Sequence, residues 1–241
     1  MLEAIIVATL LIAGFLRGYT GFGFSALVIL VLSGFYPVAE MVPAVLLLDL
    51  IISLPLAARS WQQTDLPKLT PLLWATGMGV PFGYLLLSYL PDPILKLIVP
   101  GAILGLALMT QSQNRITQLL SRSPWLCGFM SGWTTSAVSA GGAPVVIYMR
   151  QSNLPLAAQR HCIISYFFLT SCLVVGCSYA LSRQWYLLPD HPVFYGVTAL
   201  SALLIGQWAQ RQIDHPVIHH IAFYLMLSLS AISLLRAFWM L

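Results

Sequence analysis

Residues 14–24 read GFLRGYTGFGF, and residues 128–144 read GFMSGWTTSAVSAGGAP. Each lies inside a long apolar run, the first over 4–34 and the second over 125–149. So much glycine and hydroxyl side chain opposes an uninterrupted helix. Irregular backbone survives at bilayer depth only where protein or a wet cavity satisfies its polar groups. Both stretches therefore predict broken helices or re-entrant hairpins, and the surrounding chain must be a membrane protein for the argument to hold.

The composition supports that premise. Of the 241 residues, 59 % are apolar and 7 % charged, with mean hydropathy +0.87. A soluble domain carries about 25 % charged residues, so a bilayer is the solvent that fits. Further apolar runs lie at 38–58, 69–90, 94–110, 161–182, 193–210 and 217–239. A spanning helix needs about 20 residues, which these reach with their flanks. Polar breaks separate them, the longest at 111–124. Pro37, Pro93, Pro155 and Pro216 stand where helices are expected to start, a position that needs no N–H donor. Glu3 is the first charge and no cleavage pattern follows the first apolar run, so Met1 to Gly34 reads as mature protein.

The two glycine-rich stretches are related. Gly14-Phe15, Gly18 and Thr20 match Gly128-Phe129, Gly132 and Thr134 at an offset of 114. Pro37 then matches Pro155, Gly83 matches Gly206 and Pro93 matches Pro216, at slowly growing offsets. Diverged duplication behaves this way. The expected organisation is a first repeat over 1–110, a connecting loop over 111–124 and a second repeat over 125–241. Loop charge favours glycine-rich stretches that enter and leave on one side. Arg59, Lys68, Arg115, Arg122, Arg150, Arg160 and Arg211 then share a face, against Lys96, Arg183 and Arg236. That is the positive-inside pattern, and it accounts for the net charge of +4 without nucleic acid. Three full crossings per half, an odd number, force the second repeat to insert upside down. The expected fold is all-α: a polytopic transmembrane bundle of two inverted repeats, each a glycine-rich broken or re-entrant helix plus three spanning helices.

These motifs resemble the TauE/SafE sulfite exporter family. The resemblance rests on Gly14, Gly18, Gly21 and Gly23, and on Gly128, Gly132 and Gly141-Gly142-Ala143-Pro144. It implies a transporter of a small anion such as sulfite, a sulfonate or a related organic acid. Thr135-Ser136-Ala137-Val138 stands where the family pattern leads one to expect more glycine.

Arg17 is the first candidate for a site. A charge at bilayer depth costs about 2.5–3.5 kcal/mol on insertion scales, and guanidinium donors match the oxygens of carboxylate or sulfonate. Anion recognition competes with a snorkelling or ion-paired arginine. Gly18, Gly21 and Gly23 either turn backbone N–H groups toward an anion or let helices pack closely. Gly132, Thr134, Thr135, Ser136, Ser139, Gly141 and Gly142 would form the opposite wall, with Thr20 beside Gly21. Their hydroxyls either donate to an anion or bond back to the i−4 carbonyl. Asp49, the only carboxylate well inside a span, is a proton carrier, a partner for Arg17, or a helix-end group facing water. Asp214, His215 and His219 show metal-ligand spacing without a clear third ligand, so no metal or cofactor is expected. The four cysteines form no C-x-x-C pair and read as packing side chains. The function expected is alternating-access transport of a small anion in the cell (inner) membrane, not an enzyme. Its partners are the anion and the bilayer. The competing reading is a membrane assembly or interaction protein without transport activity.

Overall fold

The computed structural model describes residues 1–111, 115–189, 191–212 and 216–239, the side chains of 216–219 excepted. It is 87 % helical, with no strand among the described residues. The first glycine-rich stretch breaks one apolar run into α1 (Leu2–Thr20) and α2 (Phe24–Leu32). The second divides α7 (Pro124–Val138) from α8 (Gly142–Arg150). Between them run α3 (Val38–Ser60), α4 (Leu66–Tyr89), α5 (Asp92–Gln111) and the short polar α6 (Arg115–Arg122). The chain ends with α9 (Leu156–Ser182), α10 (Pro192–Gln212) and α11 (Pro216–Trp239). The helix starts follow the prolines: Pro37 and Pro155 are N-caps, and Pro216 opens α11.

Among the described residues, seven helices are long and apolar enough to cross a membrane: α1, α3, α4, α5, α9, α10 and α11. The sequence led to six; α1 joins them by length and composition, although it stops at the first break. It runs 19 residues before its break, whereas α7 runs only 15. The outside of the bundle is apolar. Trp74, Met78, Phe82 and Leu85 form an exposed stripe along α4 at helical spacing. Polar side chains such as Arg17, Ser53 and Ser136 are instead buried within. This is the distribution that lipid imposes, and the protein is a multi-pass membrane protein.

Close packing between glycines and backbone sets the helix directions. Gly14 of α1 lies against Ala199 and Ala202 of α10, and Gly18 against Leu203 and Gln207, so these helices run parallel. Gly128 of α7 lies against Leu72 and Ala75 of α4, Gly132 against Thr76, and Gly83 against Trp133, another parallel pair. α3 and α9 run antiparallel. At one end His161 Nδ1 meets Ser60 Oγ at 3.1 Å, and Thr64 Oγ1 meets Ser165 Oγ at 2.7 Å. At the other, Pro43 and Leu47 face Val175 and Ser178.

Two end contacts complete the path. The Val38 N–H donates to Asp92 Oδ1 at 2.7 Å, which brings the end of α2 to the α4–α5 turn. Arg150 Nη1 donates to the Thr110 carbonyl at 3.4 Å, which brings the end of α8 to the end of α5. Each broken pair thus returns to the end of the bundle where it began, and the two pairs start from opposite ends.

Candidate functional site

The two breaks meet inside the bundle. Gly21 closes α1 at φ +88° and Gly23 opens α2 at φ +94°. An L side chain adopts either conformation only with strain, which explains the glycines here. The second break uses Ser139 at φ +57° as the cap of α7, followed by Ala140 and Gly141. Ser25 Oγ donates to the Ser139 carbonyl at 3.4 Å, joining one break to the other across 114 residues. That separation equals the repeat offset read between Gly14 and Gly128.

A cavity of about 1390 Å³ opens beside both breaks. Of the residues singled out from the sequence, Arg17, Thr20, Gly23, Asp49, Thr135, Ser139, Gly141 and Gly142 line it. The cavity extends to Arg59, Arg150, Arg160 and Arg211, at the end of the bundle where α3, α8 and α10 finish. Its deeper wall includes Leu46 and Ile103. Among the described residues, Asp49 is the only carboxylate in the lining.

Arg17 is 1 % exposed and held on every nitrogen. Nε lies 3.2 Å from Asp49 Oδ1 and 3.3 Å from Ser53 Oγ. Nη2 donates to Ser53 Oγ at 3.1 Å, and Nη1 to the Gly21 carbonyl at 2.8 Å. The Ser53 hydroxyl in turn donates to Asp49 Oδ1 at 3.3 Å. The guanidinium also stands 5.6 Å from the centre of the Phe167 ring. Asp49 is thus the partner of Arg17, one of the three roles the sequence left open for it. The arginine fixes the first break by capping the carbonyl end of α1, where a cation suits the helix dipole.

The other residues divide by position. Gly18 and Gly132 face neighbouring helices rather than the cavity, since an added Cβ would collide with the Leu203 and Thr76 carbonyls respectively. Gly21 packs on Ile164 and lends its carbonyl to Arg17. Thr134 bonds back to the Met130 carbonyl at 2.7 Å. Ser136 bonds to the Gly132 carbonyl and across to Val80, both at 2.9 Å. Thr135 bonds to the Ser131 carbonyl at 2.7 Å, and Thr20 to the Leu16 carbonyl at 2.8 Å. For these hydroxyls the i−4 alternative prevails.

Two residues were missed in the sequence. Ser53 follows Asp49 by four positions, which places both on one helix face, and that spacing was the available signal. Arg160 donates to the Gly18 carbonyl at 2.9 Å and adds a second guanidinium at the end of α1. It had been read only as a loop charge, because nothing local marks its reach across 142 residues. The possible metal group falls outside the described residues, which exclude Asp214, His215 and the His219 side chain.

The model of the sulfite exporter TauE/SafE family matches residues 6–234. This chain belongs to the TauE/SafE family. The match takes in both helix breaks and every residue described around the cavity. TauE/SafE members are membrane transporters and not enzymes. No curated protein and no solved structure gives a match. The glycine motifs that carried the resemblance thus lie, in this TauE/SafE chain, at the helix breaks and at close helix contacts.

Proposed function

We propose that the protein is a secondary transporter that moves a small anion across the cell (inner) membrane by alternating access, holding it between the two helix breaks. One observation carries this reading: both breaks line one cavity, and the N-termini of α2 and α8 stand on its wall. Half-helix N-termini present free N–H groups and the positive end of the helix dipole, a suitable seat for an anion. The anion is sulfite, a sulfonate or a related organic acid, which agrees with the family.

The rocking bodies are two repeats, 1–110 and 125–241, inverted with respect to each other. The exchange of partners supports this. The first helix of each half packs on the middle one of the other half's last three spanning-length helices, namely α1 on α10 and α7 on α4. Broken pairs that start from opposite ends are also what inversion produces. The basic end, with Arg59, Arg150, Arg160 and Arg211, is cytoplasmic by the positive-inside rule, so the cavity faces inward. Asp49 is the coupling group. A proton on its carboxylate removes the charge that holds Arg17 Nε, and frees that cation to respond to substrate.

Purified protein in liposomes tests the reading. The expected result is saturable uptake and efflux of sulfite, sulfonates or small carboxylates, with flux that responds to an imposed proton gradient. In Asp49→Asn the gradient response disappears. Correctly inserted protein that moves none of these anions would overturn the proposal and favour the assembly role.

A further inference from the structure

The helix α6 turns two chemistries outward at once. Its sequence is RITQLLSR, and among the described residues it is the only helix between α5 and α7. Thr117, Leu120 and Ser121 are buried, and Leu120 packs in a cluster with Leu69, Leu72, Cys127, Val145 and Met149. The opposite face is exposed. Arg115 and Arg122 stand two turns apart and share one edge of it. Ile116 and Leu119 stand one turn apart on the other edge, 60 % and 57 % exposed. None of α6 lines the cavity beside the breaks.

An apolar edge beside a cationic edge suits a helix lying in the plane of the membrane interface. The position of α6 agrees. The 20 residues of α5 are enough to cross the hydrocarbon, so their end reaches head-group level. α6 follows at that end, and Trp125, 55 % exposed, stands in the first turn of α7 just beyond it. Exposed tryptophan favours the same level.

The charge here is not balanced from within. No Asp or Glu occurs between Asp92 and Asp190. Asp65, beside Leu69 at the start of α4, is taken by Lys68 at 3.6 Å. Among the described residues no carboxylate forms an ion pair with Arg115 or Arg122. Guanidinium donors match phosphate oxygens, and lipid head groups carry phosphate at this depth. A zwitterionic head group cancels its own charge, whereas two arginines without carboxylates favour a net anion.

We propose that α6 binds an anionic phospholipid, with Arg115 and Arg122 holding the head-group phosphate and Ile116 and Leu119 lying against the acyl chains. The site is separate from the cavity and does not depend on which solute, if any, the protein moves.

Native mass spectrometry and thermal melts of the purified protein with dioleoylphosphatidylglycerol or dioleoylphosphatidylcholine test it. The parent should retain phosphatidylglycerol in preference and melt higher in its presence. Arg115→Gln combined with Arg122→Gln should weaken the tightest-bound phosphatidylglycerol by about thirtyfold and remove most of the gain in melting temperature. Leu119→Gln keeps both charges and should also weaken retention. Arg236→Gln, at the far end of α11, should change neither readout. Inorganic phosphate should not compete, because it lacks the chains that Ile116 and Leu119 hold. Equal retention by the parent and the double-arginine variant, or displacement by inorganic phosphate, overturns the inference. So does disulfide cross-linking between two copies of Leu119→Cys in a cysteine-free background, which would give the apolar edge to a second chain.

Discussion

The Arg17–Asp49–Ser53 cluster is a stability element as well as a candidate for coupling. Removing one member of a buried ion pair leaves a charge with no partner, at a cost of about 3–5 kcal/mol. Arg17→Ala should therefore lower the melting temperature in detergent sharply. The double change Arg17→Met with Asp49→Leu removes both charges and should recover most of that loss, yet it should not transport. If the double variant is as unstable as the single one, the packing of the guanidinium on Phe167 matters more than the charge pair. Part of this cluster was legible in the sequence. A charge between Gly14 and Gly18 needs a partner at depth, and Asp49 was the only carboxylate available. Ser53 and Arg160 were not legible, because a serine in an apolar helix and an arginine at a helix start are both commonplace. Their importance comes from distance in space, across 36 residues for Ser53 and 142 for Arg160.

At the scale of elements, glycines that looked alike in the sequence divide into two kinds. Gly21 and Gly23 serve the turn between α1 and α2, where φ is positive. Gly14, Gly18, Gly128 and Gly132 sit inside helices and let backbones touch. Glycine spacing alone does not separate these uses, since each needs the absence of a Cβ. Substitution does separate them from idle glycines. Gly132→Ala should destabilise by about 1–3 kcal/mol, because its methyl group meets the Thr76 carbonyl. Gly77→Ala, on the next helix with nothing within 4 Å, should instead stabilise by about 0.5–1 kcal/mol through helix propensity. Thermal melts of the two variants check the opposite signs. The second break was less legible than the first, because Ser139 does there what a glycine does in α1.

For the whole molecule, the sequence indicated an all-helical membrane bundle, and helix starts at Pro37, Pro155 and Pro216 agree with it. It did not indicate that α1 is long enough to cross by itself, because the apolar run continues through the break without a change in hydropathy. Orientation can be measured. In a cysteine-free background, Tyr36→Cys should react with an impermeant thiol reagent only from outside, and Ser152→Cys only from the cytoplasm. Tyr36 precedes the Val38–Asp92 contact at one end of the bundle. Ser152 follows Arg150 at the other. Labelling of both from one side would contradict hairpins that enter from opposite faces.

The partner exchange of α1 with α10 and of α7 with α4 also governs biogenesis. A nascent chain that has delivered only α1 to α5 to the lipid holds α1 with its glycine groove bare, because α10 lies nearly two hundred residues further on. That groove stays exposed until synthesis is almost finished, and a fragment that stops at residue 110 never covers it. Quality-control proteases that survey membrane helices should accordingly clear such truncated products, and co-expressed halves should persist only when each rescues the other.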